Sequence, residues 1–81
     1  PFNPATKLRF RLSRAAPADL RIFDVRGKLV AILVREHLAA GLYEVKWSGR
    51  DDRGKKVPSG VYLALLVAGK QNNQVKLLLL K

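Results

Sequence analysis

The chain of 81 residues contains no cysteine, no methionine, one histidine, one tryptophan and only six acidic residues. Without cysteine it forms no disulfide and no thiolate metal site. His37 has no partner at ligand spacing, so no metal ligand is assigned. Ser13, Ser48 and Ser59 lack the strand-to-helix turn that exposes a nucleophile, so no catalytic residue is assigned, and His37 is expected in a surface loop. The glycines precede no helix and cradle no phosphate, so no cofactor is expected. No apolar run approaches the ~20 residues that carry a helix across a bilayer. The first residues also lack the basic and apolar regions of a signal peptide. Either the chain is intracellular or it is a piece whose targeting signal lies upstream, and the second is preferred. Pro1-Phe2-Asn3-Pro4 reads as the end of a linker, so residues 1–5 are assigned to it within one domain spanning 1–81.

What is present in excess is positive charge: 16 Lys and Arg against six Asp and Glu, a net charge of +10. Such a balance suits an anionic partner, whether nucleic acid, lipopolysaccharide or an acidic protein surface, but also fits a soluble domain that is simply basic. Hydrophobic residues make up 48% of the chain, enough for a globular core rather than a disordered segment.

Strand signals dominate. Thr6-Lys7-Leu8-Arg9-Phe10-Arg11-Leu12 alternates strictly, with Lys7, Arg9 and Arg11 on the polar face. Residues 13–17 break the pattern. Residues 19–24 resume it with Leu20 and Ile22 inward, leaving Phe23 outward and in need of cover. Arg26-Gly27-Lys28 is a turn, and residues 29–34 form a more fully buried strand. Residues 35–41 fit a short helical turn closed by Gly41. Tyr43, Val45 and Trp47 then share one strand face, with Trp47 the natural centre of a small core. Residues 48–56 read as a long polar loop, in which Asp51 and Asp52 are solvated between basic neighbours. Residues 61–67 and 74–81 complete the strands, with a turn over 69–73 between them. Short strands at regular spacing with turn chemistry between them predict an all-β, antiparallel sandwich of about seven strands.

Four blocks, in order, resemble a known family. They are Pro1-Phe2-Asn3-Pro4 with the following strand, Leu20 to Lys28, Gly41 to Asp51 continuing to Gly54 and Val57-Pro58-Ser59-Gly60-Val61-Tyr62, and Lys76-Leu77-Leu78-Leu79-Leu80-Lys81. Together they are similar to the C-terminal sorting domains of type IX (Por) secretion cargo and to the immunoglobulin-like domain of the flagellar hook-cap protein. One departure is Ser48, where that family usually carries Asp or Asn after the tryptophan. The resemblance implies an immunoglobulin-like or fibronectin-like fold without catalytic activity. It also implies delivery through the periplasm to the cell surface or medium, as a signal that directs an upstream cargo domain to an outer-membrane translocon or shuttle protein. The alternative is an assembly module of a hook cap or extracellular filament, with self-association.

Residues 74–81 place apolar side chains on both faces. Val75, Leu77 and Leu79 point one way and Lys76, Leu78 and Leu80 the other, with cover from the domain's own loops expected over Leu78 and Leu80. The resemblance implies partner recognition by Lys76, Leu78, Leu80 and Lys81, read by strand addition. Lys7, Arg9 and Arg11 are the candidate contacts to an anionic surface such as lipopolysaccharide, with Arg21, Lys46 and Lys76 extending the stripe if their strands are neighbours. Nucleic acid is the weaker partner, because the strand aromatics read as core rather than as a stacking platform. A carbohydrate-binding accessory domain would need Phe23, Tyr43 or Tyr62 exposed and coplanar.

Overall fold

A computed structural model describes residues 6–80; the linker assignment over residues 1–5 and the site assignment to Lys81 lie outside the described residues. Among the described residues six strands form, where about seven were expected: β1 (Thr6–Leu12), β2 (Ala16–Asp24), β3 (Leu29–Leu38), β4 (Gly41–Trp47), β5 (Gly60–Ala68) and β6 (Gln71–Leu79). All pairings are antiparallel. A two-stranded sheet, β1-β4, faces a four-stranded sheet in the order β3-β2-β5-β6.

The alternating patterns set which side of each strand is buried. Leu8 and Leu12 of β1, Leu20 and Ile22 of β2, Trp47 of β4 and Leu77 and Leu79 of β6 all point between the sheets. Trp47, 1% exposed, sits at the centre of the larger cluster. Its ring meets Tyr62 edge-on at 5.1 Å, and its indole N–H donates to the Arg50 carbonyl at 2.9 Å. Removing roughly 200 Å² of indole from water is worth about 5 kcal/mol at most. A smaller cluster of Leu12, Ala18 and Ala68 closes the other end, flanked by Phe10 stacked on Tyr43. Tyr62, near the start of β5, donates its hydroxyl to the Pro58 carbonyl at 2.6 Å. That corner bond is a hallmark of immunoglobulin-like sandwiches.

Several element boundaries differ from the sequence reading, and β4 among them begins at Gly41. β3 runs on to Leu38, so residues 35–38 are strand rather than a helical turn, and His37 stands exposed on that strand instead of in a loop. The extension follows β2, which starts at Ala16 and holds residues 16–19 in register with residues 35–38. Pro17 is tolerated there because the β5 pairing begins only at Ala18, so its missing N–H deprives β5 of nothing. At the far end, Ala68 pairs with Gln71, leaving Gly69-Lys70 as a two-residue hairpin turn and bringing residues 71–73 into β6. Gly69 has φ +60° and Lys70 does not have a positive φ, the pattern of a type II′ turn, which matches strand twist.

Asp51 is not merely solvated. The segments Asp24-Val25-Arg26-Gly27-Lys28 and Asp51-Asp52-Arg53-Gly54-Lys55 fold alike. In each, one aspartate Oδ1 accepts two backbone N–H bonds at 2.9 Å, from Arg26 and Lys28 or from Arg53 and Lys55. The glycine, at φ +86° or +83°, makes the reversal that other residues resist. Asp52 also has a specific role. It accepts from Ile32 N–H at 3.1 Å, and its own N–H donates to the Val30 carbonyl at 3.2 Å, so the loop covers part of the free edge of β3.

Candidate interaction surfaces

On the outer face of the two-stranded sheet, Lys7, Arg9 and Arg11 stand in a row as the alternation requires. Register sets Lys46 opposite Lys7, Glu44 opposite Arg9 and the 80% exposed Leu42 opposite Arg11. Arg9 Nε donates to Glu44 at 3.0 Å. That bond chiefly holds the Glu44 carboxyl below its ordinary range, with Lys7 and Lys46 adding smaller attractions. Four cations thus share one carboxylate on this face, and Lys7 faces Lys46, an unfavourable like-charge pair.

The stripe does not extend as the sequence suggested. Only Lys46 joins it. Arg21 and Lys76 belong to the other sheet, where Arg21 is tied to Asp19 through two bonds of 2.6 and 3.0 Å. Side-chain bonding and charge from Asp19 raise the Arg21 pKa further, so it remains cationic at any ordinary pH.

The outer face of the four-stranded sheet is apolar along β5 and at the end that carries Phe23 and Leu78, and polar at the other end, where Asp19 and Arg21 of β2 and Asn72 and Gln74 of β6 flank it. Phe23 pairs with Leu29 and Leu63, and Val61 with Leu78, placing these side chains in adjacent rows. Phe23 and Val61 are half-buried, whereas Leu78 is 63% exposed. Leu80 is exposed as well. The internal cover expected over Leu78 and Leu80 is therefore absent among the described residues, because the loops fold over the opposite edge, at β3. Lys76, opposite Leu63, is exposed on this same face. Three of the four sequence-assigned recognition residues, Lys76, Leu78 and Leu80, thus stand exposed near the end of one strand.

A third feature was not foreseen. A groove of about 300 Å³ opens between β1 and β6, floored by Leu20, Ala64 and Leu66 and flanked by Phe10 and Val75. Val75 occupies the inner side of β6 with Leu77 and Leu79, yet is 52% exposed. The cause is a mismatch of width, since two strands cannot cover four. At one end Gln71 Nε2 donates to the Arg11 carbonyl at 2.8 Å, spanning the gap. The alternation of residues 75, 77 and 79 gives the face, but only sheet order reveals that no described strand lies over its first member.

Among the described residues no group of three His, Cys, Asp or Glu side chains is placed to hold a metal ion. Tyr62 is buried and Tyr43 is stacked inside on Phe10, so the aromatics form no coplanar exposed platform.

Comparison with the curated proteins gives no match. Among solved structures, the crystal structure of FlgD from P. aeruginosa superposes with a TM-score of 0.72 at 21% identity, covering 93% of this chain. The chain spans 59% of that protein's length. At this identity the likeness establishes the fold, an immunoglobulin-like antiparallel sandwich. The family model of the FlgD Ig-like domain matches residues 2–72, nearly the whole sequence. The chain belongs to the family of FlgD Ig-like domains.

Proposed function

We propose that this domain is a non-catalytic assembly module, of the kind found in a flagellar hook cap, that makes contacts between protein subunits outside the cytoplasm. Family membership carries the reading. The exposed apolar corner of Leu63 and Leu78, beside half-buried Phe23 and Val61, supports it, since sheet faces exposed to water normally alternate to polar side chains. Contact between copies through Leu63, Leu78 and Leu80 buries that face, with the net charge of +10 opposing association at low salt. Sedimentation of the 81-residue protein tests this. Association should rise with protein concentration and with salt, as screening weakens the repulsion. Leu78→Asp should return it to monomer. A wild-type protein that stays monomeric at all salt concentrations overturns the reading.

The second reading is the sorting domain, with recognition by an outer-membrane translocon or shuttle protein and release to the cell surface by way of the periplasm. It is favoured by one observation, the exposure of Lys76, Leu78 and Leu80 along and just beyond β6. Lys7, Arg9 and Arg11 would then meet anionic lipopolysaccharide. Deleting the last six residues from a reporter fusion would trap cargo in the periplasm, and normal delivery rejects it.

A further inference from the structure

The groove between β1 and β6 has the attributes of a vacant strand position. Within residues 6–80, β1 pairs only with β4 and β6 only with β5, so both present bare edges to the gap. The Arg11 carbonyl faces it, because Gln71 Nε2 reaches it there at 2.8 Å. Backbone N–H and C=O groups alternate sides along an antiparallel strand, so those of Arg9 and Lys7 turn to the same edge. Beneath lie core side chains, Leu20, Ala64 and Leu66, and beside them on β6 the half-open Val75 and, toward one end, Asn73 and Gln71, whose amide also donates to Asn73 Oδ1 at 3.1 Å. Among the described residues no strand takes this position.

We infer that this seam accepts one extended segment of a partner protein, paired to the edge of β1, with apolar and acidic side chains alternating along it. Each part of that description has its own cause. The free backbone groups of Lys7, Arg9 and Arg11 supply the ladder, and the Gln71 amide already holds one rung that a partner N–H would take. Inward-pointing side chains of the added strand fall on Val75 and the apolar floor, which favours aliphatic residues there, while Gln71 and Asn73 meet the one at the far end. Outward-pointing ones fall beside Lys7, Arg9 and Arg11, where β4 provides Glu44 as the sole carboxylate. Cross-strand neighbours of opposite charge are stabilising, so the outward residues are acidic. A second copy of this chain is a poor donor, because its own charged residues are 16 basic against six acidic.

The inference deepens the assembly reading by naming a partner's chemistry, but its test is independent of whether copies associate through the outer face. The probe is a synthetic peptide of the length of β1, 7 residues, alternating valine with glutamate and added to the 81-residue protein. Saturable binding is expected, with slowed amide exchange at Lys7, Arg9 and Arg11 and shifted resonances at Val75. Replacing the glutamates by lysines should abolish it. Arg9→Glu with Arg11→Glu should weaken binding about tenfold or more, from the swing in cross-strand charge pairing. Both positions are exposed, and an unchanged spectrum elsewhere confirms that the variant folds. Absence of binding, equal binding of the lysine peptide, or protection confined to the outer face of β5 and β6 overturns the inference. So does a peptide-free dimer in which the β1 amides are already protected, which would make a second copy the occupant.

Discussion

Substituting alanine at Gly49 and at Gly54 separates two costs that usually arrive together. Both glycines have left-handed backbone, at φ +77° and +83°, where a Cβ costs about 1–2 kcal/mol. Alanine also stiffens the unfolded chain, which returns about 0.4–1 kcal/mol. At Gly54 a Cβ meets nothing within 4 Å, so Gly54→Ala should cost about 1 kcal/mol. At Gly49 the new Cβ lies 3.2 Å from both Cδ atoms of Leu79. Leu79 is 1% exposed and packed in the main core cluster, so it has little room to withdraw. Overpacking of this kind adds about 1–3 kcal/mol, bringing Gly49→Ala to about 2–4 kcal/mol. The single tryptophan, Trp47, reports urea unfolding directly. Gly49→Ala should lower the midpoint several times further than Gly54→Ala at an unchanged slope. In melting temperature each kcal/mol is worth about 4–8 °C for a domain of this size. Leu79→Ala in the Gly49→Ala background should cost less than the sum of the two single changes. Equal costs at the two glycines, or strict additivity with Leu79→Ala, would refute the claim that Gly49 is required by close approach.

Other perturbations address the turns and the ionisable groups. Tyr62→Phe deletes the hydroxyl bond to Pro58 and should cost about 1 kcal/mol in urea unfolding. Burial, and secondarily the nearby Asp24, raise the Tyr62 pKa above 10.0. Its contribution is therefore full below the unfolded value and lost as pH rises through the folded one; Tyr62→Phe should flatten that alkaline decline. Asp51→Ala removes two accepted N–H bonds, and Asp24→Ala removes the same number. Each should cost about 1–2 kcal/mol, and similar values would confirm the equivalence of the two turns. Glu44 has a pKa lowered from 4.5, so its contribution is present above that value and lost as pH falls through the folded one. Glu44→Gln should flatten the acid limb of the stability curve, and an unaltered limb would mean that the Arg9 contact is immaterial.

Strict alternation made β1 and β4 legible from the chain, down to which face carries Lys7, Arg9 and Arg11, because a period of two leaves no ambiguity about sides. Trp47 as the core centre was legible for a similar reason, being a residue with one demanding local requirement. Residues 35–38 were not, because Arg35, Glu36 and His37 carry no apolar alternation; their strand state is imposed by pairing with β2. The role of Asp51 was legible in principle from the repeated pattern Asp-x-Arg-Gly-Lys, and was obscured by the basic residues around it. The fate of the basic stripe could not be read at all. Whether Arg21, Lys46 and Lys76 join it depends on which strands share a sheet, and that is a property of topology rather than spacing.

The same dependence explains why β6 carries two distinct surfaces. Its outer side adds Leu78 to the apolar row of β5 and to Phe23 of β2, whereas its inner side leaves Val75 uncovered beside β1 among the described residues. Successive residues of a strand point to opposite faces, so a contact on one does not occupy the other. A segment lodged in the seam would leave Leu78 free, and copies joined through Leu78 would leave the β1 edge free. Leu78→Asp should therefore abolish association between copies without weakening the peptide, and Val75→Asp should do the reverse. Nuclear magnetic resonance titration beside sedimentation reads both at once. If either substitution disrupts both events while the protein remains folded, the two surfaces are one site, and the separation drawn from the strand's alternation is wrong.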